Sequence, residues 1–186
     1  RSLLNQLDSA AGHHLIVRRD GTYAWNPDVP FSLDTDMFEA LCRTGAAQSD
    51  EDRRLESYLQ ALALYEGDFL PKLSSEPWVV PISAYFHNLY IRTVQETLPL
   101  LEGRGRLREA ADLCRKSVEV EPYNELLYQH LMQDLLTLGE QQAVISIYED
   151  MSQLLFDSFG IMPSDETRAI YREAMRTVND KAVSIV

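Results

Sequence analysis

The stretches GRLREAADL (residues 105–113) and GEQQAVISI (residues 139–147) decide how this chain folds. Their leading glycines, Gly105 and Gly139, stand 34 residues apart, and small residues follow each inside an otherwise helical pattern. This is the sequence of two consecutive helix–turn–helix units, in which the glycine makes the turn and small side chains let the second helix pack closely on the first. Ala110 and Ala111 take that role in the first unit. Ala143 takes it in the second, which reads as one residue shorter after its glycine. Pro122 closes the first unit, and the second has no proline at the equivalent place.

Helical periodicity extends in both directions from these turns. Leu107, Ala110, Ala111, Cys114 and Val118 follow the spacing of one buried helix face and predict a helix from about Leu107 to Glu121. Upstream, a long helix is predicted from Ile82 to about Glu102, with Phe86, Leu89, Tyr90, Val94, Leu98 and Leu101 inward. Pro99 is expected to kink it or end it early. Downstream, FGIMPSDET (159–167) joins a last helix pair, with Gly160 capping one helix and Ser164 starting the next. That final helix turns Ile170, Tyr171, Ala174 and Met175 inward, and the tail after Asn179 is expected to fray.

Nearer the front, Asp36 or Thr35 is a candidate cap for a helix carrying Phe38, Leu41 and Cys42. GAAQSDED (45–52) reads as a polar loop in which Ser49 starts the next helix, with Leu55, Leu59, Leu62 and Ala63 on one stripe. GDFLPKLSSEPW (67–78) is irregular, and its large residues Phe69, Leu70, Leu73 and Trp78 are expected to be buried anchors. The fold class is therefore mainly α, a tetratricopeptide-like superhelix of antiparallel helix pairs with a short N-terminal helix and a β-hairpin remnant ahead of it.

That hairpin lies in HLIVRRDGTYAW (14–25). Val17, Tyr23 and Trp25 are strand formers, and Asp20-Gly21 is a strongly favoured two-residue turn. SLLNQLDSAAG (2–12) ahead of it has Leu3, Leu4 and Leu7 on one helical face and stops at Gly12. The front is also electrically distinct. Residues 1–27 hold Arg1, Arg18 and Arg19 against Asp8 and Asp20, a net +1, which leaves −13 of the total −12 on the rest of the chain. An acidic body repels phosphate, so any contact with nucleic acid falls to the front.

Several function classes find no support. Phosphate-cradling glycine loops, a GxGxxG unit and a GxSxG elbow are absent. The histidines, His13, His14, His87 and His130, have neither HExxH nor zinc spacing, so no metal and no cofactor is expected. Acid pairs such as Asp34/Asp36, Glu51/Asp52 and Glu149/Asp150 sit near helix starts or on solvated faces. The chain is read as non-enzymatic, with no catalytic residues. Cys42 and Cys114 fall on apolar helical positions and are read as reduced core thiols of a cytoplasmic protein. No long apolar run predicts a membrane span, and nothing at Arg1 resembles a secretory leader. Gln95, Leu126, His130 and Gln133 occupy the groove positions where a carboxylate-clamping repeat protein carries cations, so that mechanism is not expected.

Taken together, the residues resemble the bacterial transcriptional activator domain of antibiotic-regulatory-protein type activators. SLDTDMFEAL (32–41) is similar to that family's opening segment, and ALALYEGDFLPKLSSEPW (61–78) to its most recognisable stretch. VEVEPYNELLYQHLMQDLLTLGEQQAVISIYEDM (118–151) resembles its central repeat and FGIMPSDET its closing turn. The resemblance places the domain at 28–180, with a tail at 181–186. It makes residues 1–27 the end of a response-regulator-like winged helix, namely the tail of a recognition helix and the wing hairpin, with the front of that winged helix missing.

On this reading DNA is contacted only through the intact N-terminal domain. Arg18 and Arg19 on the wing, Arg1, and Asn5 with Gln6 on the recognition-helix remnant are the candidate DNA-binding residues. The helical domain is expected to serve dimerisation, contact with RNA polymerase or coupling to a signal. Tyr123, Tyr128 and His130 are candidates for its partner groove, with packing between repeats as their alternative role. The rival is a free-standing tetratricopeptide-like scaffold without a DNA role. A module that holds a small ligand between its helices is the third reading.

Overall fold

Asp20 and Gly21 both take positive φ, +48° and +83°, which is the backbone of a hairpin turn whose twist matches the strands it joins. Around it, β1 (Ile16–Arg19) and β2 (Thr22–Trp25) pair antiparallel in the register Arg18↔Tyr23 and Ile16↔Trp25. The computed structural model describes residues 8–183, with side chains through Asp180. It divides into two compact units between Met37 and Phe38. In the first, residues 8–11 are helical and Gly12 ends them at φ +71°.

The second unit is built of helices: α1 (Asp34–Ala47, beginning just before the division), α2 (Glu51–Leu64), α3 (Val79–Glu102), α4 (Leu107–Val120), α5 (Glu125–Thr137), α6 (Gln141–Phe159) and α7 (Asp165–Val183). From α2 onward each helix packs on the next, and α5 also packs on α7. The turn between α3 and α4 and the turn between α5 and α6 are the same device. Arg106 N–H donates to Leu101 O (3.0 Å) and Glu140 N–H donates to Leu135 O (2.8 Å), each across a glycine in the left-handed region. The 34-residue period is thus a repeated backbone structure.

The second unit is not one residue shorter, however. Val144 occupies the place of Ala110 in register, and both are fully buried, while Ala143 is half-buried. A larger side chain replaces the small one at the same depth, and no deletion is needed.

The core runs along α3, where Tyr90, Val94, Leu98 and Leu101 follow the 3.6-residue period. Against it lie Ala110, Ala111 and Cys114 of α4 and Leu127, Leu131 and Leu135 of α5. Cys42 and Cys114 are buried free thiols, and burial pushes Cys114 up to about 12.

Elsewhere the local expectations need correction. Gly45 is no loop residue: it lies buried inside α1 against the ring of Tyr58. The cap of α2 is Asp50, not Ser49, because its carboxylate accepts from Asp52 N–H (2.9 Å) and Arg53 N–H (3.1 Å). The deepest side chains of α2 are Leu55, Tyr58 and Ala61, with Leu59 and Leu62 only half-buried. Helix α3 starts at Val79 rather than Ile82, and Pro99 does not end it. A proline so near the C-terminus removes one internal hydrogen bond, and its own carbonyl still accepts from Gly103 N–H (2.9 Å). Asn179 does not end α7, which continues to Val183. Finally, Leu70, Leu73 and Trp78 are exposed, Trp78 by 54%, and only Phe69 is half-buried. The 3-10 turn Pro71–Leu73 carries Leu70 and Leu73 outward instead of pinning the segment to the helices, and Trp78 stands at the N-cap of α3.

Candidate functional site

The hairpin presents its cations cleanly. Arg18 and Arg19 are exposed, and neither joins an ion pair with another described residue. Strand alternation puts Arg18 on the face of Ile16, Tyr23 and Trp25, and Arg19 on the opposite face with Val17. The two guanidinium groups therefore straddle the ribbon next to its turn. The base of the hairpin is fastened to the preceding helical residues. Asp8 accepts from Leu15 N–H (3.0 Å) and lies 2.7 Å from His14 Nδ1, and the His14 bond foremost holds its carboxyl below the usual aspartate range. Asn26 closes the other side, donating from Nδ2 to His14 O (2.7 Å) and from N–H to Leu15 O (2.8 Å). Trp25 stacks on Phe31 at 5.3 Å. Arg1, Asn5 and Gln6 lie outside the described residues.

In the helical unit, α2 and α4 stand apart over α3 and leave a trough of about 660 Å³ between them. Leu59, Leu62 and Ala63 form one wall, Leu113 and Val120 the other, and Tyr90 the floor. Tyr65 closes one end by stacking on Tyr90 at 4.1 Å, and burial pushes its hydroxyl well above the ordinary tyrosine range. Glu66, Glu109, Asp112 and Glu119 edge the trough, with Lys116 as the one cation among them. The nearby arginines are neutralised: Arg104 donates to Asp52 (2.7 and 2.9 Å), and Arg106 makes a two-pronged contact with Glu109 (2.6 and 2.7 Å). An apolar slot with an acidic edge suits an amphipathic segment of another chain. Periodicity hides this surface, since the stripe Leu59–Leu62–Ala63 looks like core. Only its incomplete burial separates a slot from a packed face.

The three residues singled out for a partner groove have separate partners. Tyr123 is exposed and packs edge-on against Phe159 at 4.8 Å. Tyr128 is half-buried and donates to Pro122 O (3.1 Å), closing the α4–α5 turn. His130 Nδ1 lies 2.6 Å from Glu102 Oε1, linking α5 to α3. His87 likewise ties α3 to the turn after α4 through Glu121. No cluster of three or more histidine, cysteine or acidic side chains able to hold a metal occurs among the described residues. No described helix is long and apolar enough to cross a membrane.

Comparison with known proteins places this architecture. No curated protein matches the chain. Among solved structures, Mycobacterium tuberculosis EmbR in complex with a low-affinity phosphopeptide is similar in fold, with a TM-score of 0.59 and 20% sequence identity over 95% of this chain. The match covers 48% of the EmbR chain, so the present chain spans about half its length. The family described as bacterial transcriptional activator domain matches residues 33–174, which include the trough and both glycine turns. The chain therefore belongs to the bacterial transcriptional activator domain family.

Proposed function

We propose that this chain is a non-catalytic regulatory module of a DNA-binding transcription regulator, in which the N-terminal hairpin is a wing and the helical unit receives a protein partner. The observation that carries the reading is the pair of exposed arginines, free of ion pairs with other described residues, beside a tight turn just ahead of the activator domain. Arginines on both faces of a narrow ribbon can neutralise phosphates on either side of a groove. The rest of the chain is too acidic to share that task. RNA polymerase or a second copy of the regulator is the proposed class of protein partner, with the α2–α4 trough as its seat.

The test is salt dependence, measured on the full-length gene product with a duplex from the region upstream of its own gene. Replacing Arg18 and Arg19 together by alanine should weaken binding and flatten the plot of log affinity against log salt by about 2, near 0.9 for each phosphate that is no longer neutralised. Unchanged affinity and slope would remove the DNA role. The scaffold reading would then stand, with the hairpin as a cap on its own small unit.

A further inference from the structure

A second apolar surface lies at the far end of the helical unit, around the α6–α7 turn. Phe156 is 58% exposed, Phe159 57%, Ile161 51% and Met162 58%. Phe156 and Phe159 are one turn apart on α6 and share a face. Tyr123 joins them from the α4–α5 turn through its edge-on contact with Phe159 and the hydrogen bond from Ser158 Oγ to its hydroxyl (3.2 Å). Single exposed hydrophobic residues need no explanation, but five large ones linked by contact or by close spacing along one helix end and its turn do.

The surface is held rigidly. Glu125 at the start of α5 accepts from Ser164 N–H (2.7 Å), Ser164 Oγ (2.6 Å) and the Thr167 hydroxyl. Burial alone would raise this carboxyl, but those donors outweigh it and keep it below the ordinary glutamate range. Gly160 sits in the left-handed region at φ +67°, and Pro163 is buried. The turn is thus clamped at its α7 end while its apolar side chains are exposed to solvent, so a partner meets a pre-formed surface and loses little ordering entropy in docking.

Its charge selects the occupant. Residues 149–168 contain five acidic residues and a single cation, Arg168, which is itself paired with Asp165. A second copy would bring the same acidic edge against its like, which is unfavourable in a self-complementary contact. We infer that the aromatic surface formed by Tyr123, Phe156, Phe159, Ile161 and Met162 is a docking site for a cationic amphipathic helix of another protein. Its apolar face covers the rings, Met162 adapts to its side chains, and its lysines or arginines meet the acidic edge. The inference rests on the reading of the helical unit as an interaction module, and it names a different seat from the trough.

The probe is a synthetic amphipathic helix of about 18 leucines and lysines, with a leucine–glutamate twin that keeps the same apolar face. Fluorescence anisotropy with the whole chain should show the lysine peptide binding at physiological salt and the glutamate twin binding at least about tenfold more weakly. Phe156→Ser with Phe159→Ser should cost the lysine peptide at least about tenfold in affinity, as should Ile161→Ser with Met162→Ser. Trp78→Ser, an exposed ring elsewhere, should change nothing. Equal binding of the lysine peptide by the wild type and both double variants would mean general attraction to an acidic protein and would overturn the site. Equal binding of the two peptides would overturn the cationic occupant. A wild-type dimer that the Phe156/Phe159 variant splits into monomers would assign the surface to a second copy instead. None of these outcomes touches Arg18 or Arg19, so failure of the DNA reading is read separately.

Discussion

Asp134→Asn should make this protein more stable at pH 8, by up to about 3 kcal/mol. Asp134 lies on α5, is 3% exposed, and leaves its carboxylate oxygen Oδ2 buried without a hydrogen-bond partner. Burial first, and the nearby Glu102 carboxylate of α3 second, push its pKa up to about 6, while His130 on the same helix opposes them. Cys114 of α4 faces the same spot and is raised in turn by Asp134. The folded-state pKa is above the unfolded value of 3.8, so the folded state binds the proton more tightly. The stability this provides is complete below pH 4 and is lost as the pH rises through about 6. A shift of about two units corresponds to about 3 kcal/mol at 1.36 kcal/mol per unit.

Asparagine removes the charge while keeping the shape. In calorimetry the variant should melt above the wild type at pH 8, by up to about 6–12 °C given about 2–4 °C per kcal/mol for a chain of this size, and close to it at pH 4. The wild type's decline between pH 4 and 7 should flatten. Equal destabilisation by the variant at both pH values would mean that Asp134 holds a partner essential to the α5 packing.

Gly45→Val should destabilise by about 3 kcal/mol or more, with Gly45→Ala a smaller loss in the same direction. A Cβ at this position would stand 2.5 Å from Tyr58 Cδ1 and closer still to Cε1, far inside van der Waals contact. The ring cannot retreat, because it is 1% exposed and its hydroxyl donates to Glu96 of α3. Overpacking of this kind costs about 1–3 kcal/mol, occasionally more. Alanine recovers about 1 kcal/mol through its better helix propensity, whereas valine recovers less and adds two methyl groups. Urea unfolding should show the loss as a lower midpoint at unchanged slope. The cause can be isolated by a double-mutant cycle: Tyr58→Leu removes the clashing ring atoms, so Gly45→Ala should cost much less in that background. An unchanged cost would assign the loss to the backbone.

These two sites show where sequence reasoning stops. Asp134 stands in QHLMQDLLTL as an ordinary helical acid, and no pattern within α5 tells that α3 and α4 close over it. Gly45 stands before AAQSDED as a loop opener, and its neighbour Tyr58 is thirteen residues away on another helix. Both features arise from pairs of helices meeting, which single-helix periodicity does not encode. The same limit explains Trp78 and the rings at the end of α6. A large apolar side chain is equally compatible with a buried anchor and with a docking surface until its burial is known.

What the sequence determined by itself was the local architecture and its class. Asp20-Gly21 fixed the hairpin turn, because the dipeptide tolerates positive φ where most residues do not. Gly105 and Gly139 fixed two identical helix-ending turns at a period of 34 residues for the same reason. The spacing of Tyr90, Val94, Leu98 and Leu101 fixed the buried face of α3, since a 3.6-residue period leaves only one stripe to bury. Only the tertiary structure decided how far apart the helices stand: the open trough between α2 and α4, the buried charge of Asp134 and the uncovered rings at the end of α6. Distances between helices depend on the summed shapes of side chains remote in sequence, and that sum exists only once the chain has closed on itself.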